Sequence, residues 1–451
     1  MRDMLIASDK RVTRRARNLT KNAILALLLV LGSAETALPD GLTTGGQSSG
    51  DIPEKAPTEM AAAAPVDGGM SRPAAYAQAK ALSAVGARLF LDPRLSGSGK
   101  LACSSCHDPA HAFAPANDLP VQMGGTDLHQ PGIRAVPTLM YLQAVPQFSE
   151  HFFDNEDEAD ESVDNGPTGG LTWDGRADSK SDQARIPLLS SFEMANVSAD
   201  AVVEAAEKAG YVAELQRILA PAPLGNKTQK FDAVLKALEV YQQDPATFYP
   251  YSSKYDAYLA GKAVLTPQEQ RGLTAFSDPD KGNCSSCHIS ERANDGTPPQ
   301  FTDFGLIAIG LPRNRAIPAN QNPAYVDLGV CGPLRTDMKD HPDYCGLFKT
   351  PTLRNVATRK TFFHNGIFHT LRDAVAFYAT RDSDPGRWYP HRADGTVAKF
   401  NDLPQRYWPN LNTDPPFDGR KPGDKPTLTD AETDDIVAFL QTLTDGYRVA
   451  Q

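Results

Sequence analysis

Two stretches far apart in the chain repeat the same helical pattern. Leu82, Val85, Leu89 and Phe90 recur at the three- and four-residue spacing that gathers apolar side chains on one helix face. A second stripe runs through Leu265, Leu273 and Phe276, with Gln270 on the same predicted helix. Each ends at an Asp-Pro step, Asp92-Pro93 and Asp278-Pro279, where the residue before proline leaves the helical region. Thr266, Pro267 and Glu269 stand at the N-cap, first and third positions of the second helix, the pattern of a capping box. Another amphipathic helix is predicted over 429–443, with Ile436, Val437, Phe439, Leu440 and Leu443 as its apolar stripe. Strand patterns are few, so the predicted fold class is mainly α.

The start of the chain reads differently. Arg2, Lys10, Arg11, Arg14, Arg15, Arg17 and Lys21 precede an apolar run over 23–31 and the small residues Gly32, Ser33 and Ala34. This order predicts a secretory signal over 1–37. Its apolar run is too short for a hydrocarbon core of ~30 Å, so no integral membrane anchor is expected in the mature form. Residues 38–73 are rich in Gly, Ser, Ala and Pro and predict a flexible linker. The whole chain of 451 residues carries a net charge of −10, and removing the signal leaves 38 basic against 52 acidic side chains. That balance argues against a nucleic-acid partner and fits an acidic protein exported to the periplasm.

Six cysteines are too few for a disulfide scaffold, so each needs its own explanation. Four lie in two identical pentapeptides, Cys103-Ser104-Ser105-Cys106-His107 and Cys284-Ser285-Ser286-Cys287-His288. C-x-x-C-H is the attachment motif of c-type haem: two thiols bond the porphyrin and the histidine reaches the iron. A zinc ribbon needs four close ligands per knuckle, and a thioredoxin-type C-x-x-C needs no adjacent histidine. The motifs sit within a repeat of about 180 residues, in which Pro137-Thr138-Leu139 answers Pro351-Thr352-Leu353 and Trp173-Asp174-Gly175 answers His364-Asn365-Gly366. Two cytochrome c-like modules are therefore expected, over 74–255 and 256–451, holding two covalent haem c groups.

The sixth iron ligand separates a relay from an enzyme, because an enzyme leaves one iron open for peroxide or oxygen. Pro187 lies fourteen residues after Trp173, and Tyr378 fourteen after His364. A proline cannot ligate and a phenol can, so the first haem is expected to be open and the second capped; Met338 is the rival cap.

On the segments LFLDPRLS, VPTL, WDGRADSKSDQARIPLLSSFEM and FKTPTLRNVATRKTFFHNGIFHTLRDAVAFY, the sequence resembles the bacterial dihaem cytochrome c peroxidase and MauG family over roughly residues 82–443. The resemblance implies a distal pocket of Gln183, Pro187 and Glu193 at the first haem, and Trp173 between the haems. A tyrosine at the second cap places the chain with MauG-like enzymes, which use hydrogen peroxide to oxidise a partner protein through a high-valent dihaem state. The segments FYATRDSDPGRWYP and CGP…YCG are similar to a branch that includes an enzyme converting a tryptophan of a methanobactin-linked partner to kynurenine. The alternatives are a peroxidase detoxifying hydrogen peroxide with electrons from a small cytochrome or cupredoxin, and a non-catalytic dihaem electron carrier. Detoxifying members often carry a gating histidine before the Pro-Thr; Asp127 falls there, with His129 two residues away. The family also implies Ca2+ between the modules, held in part by an asparagine whose place Ala135 takes, with backbone carbonyls near Arg359 and Thr361 as remaining donors.

Cys331 and Cys345 are left over, and in an oxidising compartment a disulfide is expected, with metal binding beside His341 as the alternative. The acidic run 154–164 reads as a solvated loop or a docking patch for a basic partner. Trp388, Tyr389, Tyr407 and Trp408 form either a packing cluster or an exit path for oxidising equivalents.

Overall fold

The computed structural model describes residues 70–152 and 165–449. The signal segment, nearly all of the expected linker and the acidic run 154–164 lie outside them. The described chain is mainly helical, as the periodicity predicts. Its helices are α1 (Arg72–Leu91), α2 (Lys180–Leu189), α3 (Ala199–Lys208), α4 (Tyr211–Leu219), α5 (Lys227–Tyr241), α6 (Pro245–Phe248), α7 (Lys254–Leu259), α8 (Pro267–Ser277), α9 (Leu371–Thr380) and α10 (Asp430–Gln441). Two antiparallel ribbons complete it: β1 (Met123–Gly124) with β2 (Gln130–Pro131), and β3 (Leu306–Ile307) with β4 (Phe348–Lys349).

Local chemistry sets the helix ends. Ser71 caps α1 by accepting from the Ala74 N–H, so ordered helix begins slightly ahead of residue 74. At α8 the capping box is present, Thr266 accepting from the Glu269 N–H and Glu269 accepting from the Thr266 N–H. Thr429 and Glu432 repeat this arrangement at α10.

The helices pair in the same way twice. Leu82, Val85, Leu89 and Phe90 of α1 are buried against α5, and Phe276 of α8 is buried against α10. Glycine sets both crossings. A Cβ at Gly86 would run into the Ala237 carbonyl, and one at Gly272 into the Asp435 carbonyl. Each glycine lies six residues before its Asp-Pro aspartate, so the crossing belongs to the repeat.

Two apolar cores result. One gathers residues between Leu82 and Phe248, the other residues between Tyr255 and Leu443. A third, smaller cluster of Leu306, Ala308, Val330, Leu347 and Leu411 lies about the β3–β4 ribbon. Beside it Cys331 and Cys345 are joined in a disulfide, which removes both thiols from the alternative metal site. His341 instead stacks on Tyr344, with ring centroids 5.2 Å apart.

A candidate dihaem centre

Each C-x-x-C-H motif begins on a single 3-10 turn, Cys103–Ser105 and Cys284–Ser286. Cys103, Cys106, His107, Cys284, Cys287 and His288 all line one cavity. His107 Nδ1 lies 3.0 Å from the Phe113 carbonyl, and His288 Nδ1 lies 2.9 Å from the Phe301 carbonyl. A carbonyl only accepts, so each Nδ1 carries the proton and the lone pair stays on Nε2, the form that ligates iron. Burial pushes both imidazoles down to about 4, which keeps them neutral at pH 7.

The acceptors are built alike. Phe113 and Phe301 both take left-handed backbone angles, φ 53° and 55°. The carbonyl one residue earlier is held in each case by the threonine of the repeated Pro-Thr-Leu: Thr138 donates to Ala112 at 2.6 Å and Thr352 to Gln300 at 2.7 Å. The Pro-Thr-Leu pair is visible in the sequence, but this role of its threonines is not. Paired thiols, a neutral imidazole with its orientation fixed, and a shared apolar wall fit a c-type haem at each motif.

On the first motif's side, α2 is capped by Ser179 and carries Gln183 and Pro187 four residues apart, both lining the cavity. The turn after α2 brings in Glu193, held by the Gly125 N–H donating to its carbonyl at 2.9 Å. Gly124 packs against that backbone so closely that a side chain there would meet the Phe192 and Glu193 carbonyls. Burial pushes the Glu193 carboxyl above the usual carboxylate range, and its charge is felt at Cys103 and Cys106. His129 lies elsewhere. It is exposed in the turn between β1 and β2, its N–H donating to Asp127, and it is not among the residues lining the cavity.

On the second side, Tyr378 projects from α9 into the cavity. Burial raises its phenol above the ordinary range, and the ring shares the cavity wall with Cys284 and Cys287. The ring packs against Phe363 and Phe417, with centroids 5.7 and 5.6 Å away. Among the described residues none hydrogen-bonds its hydroxyl. Met338 packs in the third cluster and is not a lining residue.

Trp173 also lines the cavity, its Nε1 donating to the Ala135 carbonyl at 2.7 Å. Its ring meets His364 edge-on at 6.4 Å, so the residues that answer each other in the repeat touch in space. His364 in turn stacks on Phe348 at 3.4 Å. Under Trp173 lies a buried charge cluster that sequence reasoning missed. Arg134 is 2.7 Å from both Asp174 and Asp327, and Arg176 is 2.7 Å from Asp174. Arg335, from the disulfide-closed loop, donates to the Asp174 carbonyl at 2.9 Å. Arg134 and Asp327 are 193 residues apart, so no local pattern announces the pair.

The places expected to hold calcium are poor in free oxygen donors: Ala135 has no side-chain oxygen and its carbonyl accepts from Trp173, while the Thr361 carbonyl accepts from Arg359 Nε at 3.2 Å. Among the described residues no group of three or more His, Cys, Asp or Glu is placed to hold a metal ion.

Two helix-packed cores sharing a cavity between twin attachment motifs define a dihaem c-type protein. The family model "Di-haem cytochrome c peroxidase" matches residues 80–264. The methylamine utilization protein MauG of Paracoccus denitrificans is 33% identical over 81% of this chain and 89% of its own length. Cytochrome c551 peroxidase of Pseudomonas aeruginosa is 31% identical over 65% of this chain and 70% of its own. Among solved structures, the diheme peroxidase BthA from Burkholderia thailandensis superposes with a TM-score of 0.71 at 41% identity, covering 81% of this chain and 86% of that one. A MauG-like protein associated with microbial copper homeostasis superposes at 0.55 with 25% identity, covering 85% of this chain and 92% of that one. The chain belongs to the dihaem cytochrome c peroxidase and MauG family. It is a dihaem peroxidase with two haem c groups, acting on hydrogen peroxide. Among the described residues no helix is long and apolar enough to cross a membrane.

Proposed function

We propose that the protein is a periplasmic, MauG-like peroxidase that spends the oxidising power of hydrogen peroxide on a partner protein, with an aromatic side chain as the target. The observation that carries this reading is Tyr378, which faces the second attachment motif while Met338 is packed elsewhere. A phenolate supports iron in high oxidation states better than a thioether, so such a cap favours storing oxidising equivalents over passing single electrons.

In this reading His107 and His288 would each hold a haem iron, and Tyr378 would be a further ligand to the iron at His288. When bound, the haems supply the iron that takes peroxide and the site where oxidising equivalents rest. Pro187 presents no donor atom and would leave the cavity beside Gln183 and Glu193 free for peroxide. Gln183 hydrogen-bonds the bound oxidant. Glu193 takes the proton from one peroxide oxygen and returns it to the other, which leaves as water. Each peroxide thus removes two electrons from the partner and yields two waters with two protons. Trp173, on the wall of the shared cavity, would carry charge between the two haems.

One equivalent of hydrogen peroxide added to the fully ferric protein tests the reading. A fast change with a long-lived near-infrared band is expected, and Tyr378→Phe should alter the second-haem spectrum and abolish that band. No reaction until one electron is supplied would favour the second reading, a peroxidase fed by a small cytochrome, which has support in the cytochrome c551 peroxidase relative. An unchanged second-haem spectrum in Tyr378→Phe would remove the tyrosine ligand.

A further inference from the structure

The other deeply placed arginines of the described chain have carboxylate partners. Arg134 has Asp174 and Asp327, Arg354 has Asp256, Arg381 has Asp382, and Arg313 has Asp402. Arg359 differs. It lines the haem cavity, and its bonded partners are backbone oxygens: Nη2 donates to the Val136 carbonyl at 3.0 Å and Nε to the Thr361 carbonyl at 3.2 Å. Burial lowers its pKa only to about 10, so it stays a cation at neutral pH, and its charge is felt at His107.

The positions of those two carbonyls matter. Val136 lies between Ala135, which holds Trp173, and Pro137, the first residue of the Pro-Thr-Leu that braces the His107 acceptor. Residues 134–137 lead into the first core, while 358–361 follow Val356 of the second. The Ala135 N–H also donates to the His364 carbonyl at 2.7 Å, so the two segments run side by side. A guanidinium bonded to carbonyls from both segments gives what a divalent cation gives there, positive charge among backbone oxygens, without needing several oxygen ligands.

We infer that Arg359 is a built-in cation replacing an inter-core calcium ion: it ties the Trp173-bearing segment to the second core and sets the field at the first haem. The inference concerns the resting protein and stands apart from the choice of electron donor.

The test uses the haem-loaded full-length protein. After exhaustive dialysis against EGTA, metal analysis should find far less than one calcium per chain. Thermal unfolding and the ferric response to peroxide should be unchanged by EGTA or by added calcium. One calcium per chain, or a chelator-induced loss reversed by calcium, overturns the inference. Arg359→Gln, which keeps donors but loses the charge, should shift the midpoint potential of the His107 haem to more negative values, since a nearby cation disfavours the ferric state. Arg359→Lys should restore most of that shift. An unmoved potential in Arg359→Gln overturns the electrostatic role, and the wild-type metal analysis stands whether or not either variant folds.

Discussion

At the scale of single residues, Glu193 carries the sharpest test. Burial raises its pKa, so it reaches its basic form only at a higher pH than an exposed glutamate does. In the proposed step Glu193 takes a proton from peroxide, which requires that basic form. The peroxide reaction should therefore fall as pH drops through the raised value, with an acid limb at higher pH than an ordinary carboxylate gives. Glu193→Gln should slow the reaction by ~10²–10⁴-fold and erase that limb in stopped-flow traces. The two attachment motifs were legible in the sequence because attachment is local chemistry, five residues that bond one group. Reading one half of the repeat against the other singled out Pro187 and Tyr378, and both line the cavity. The left-handed Phe113 and Phe301 were not legible, because nothing in a phenylalanine announces a positive φ that a distant threonine hydroxyl helps to hold.

At the scale of elements, the helix crossings hold the motifs in place. Gly86 and Gly272 let α1 meet α5 and α8 meet α10 at backbone contact. Gly272→Ala should force α8 away from Asp435 and cost about 1–3 kcal/mol or more, read as a lowered unfolding midpoint. Gly86→Ala should do the same in the first core. The apolar stripes of α1 and α10 were visible at helical spacing: Ile436, Phe439, Leu440 and Leu443 are buried as expected, while Val437 is only half-buried. The glycines stood in plain sight in α1 and α8. Their meaning depends on a partner helix some 150 residues away, which periodicity does not see.

At the scale of the whole molecule, the cluster of Arg134, Asp174, Asp327 and Arg176 fastens the Trp173 loop to residues far along the chain. Burial alone would raise the Asp174 pKa, but Arg134 and Arg176 outweigh it and hold the carboxyl at about 2. A depressed carboxylate stabilises the fold above its unfolded pKa, and the contribution is lost as pH falls through the folded value. The wild-type cluster should thus persist at moderately acid pH. Asp174→Asn leaves Arg134 partly uncompensated and should cost roughly 3–5 kcal/mol, seen as earlier loss of structure in a denaturant titration at neutral pH. The contact between Trp173 and His364 has a further consequence. Two identical modules would meet there as two identical side chains, and charge would cross equally well from either half. Here an indole faces an imidazole that burial keeps neutral, its pKa down to about 3, and an indole gives up an electron more readily than a neutral imidazole. The seam between the halves therefore has a polarity of its own: a positive hole placed there would find its resting place on one side only.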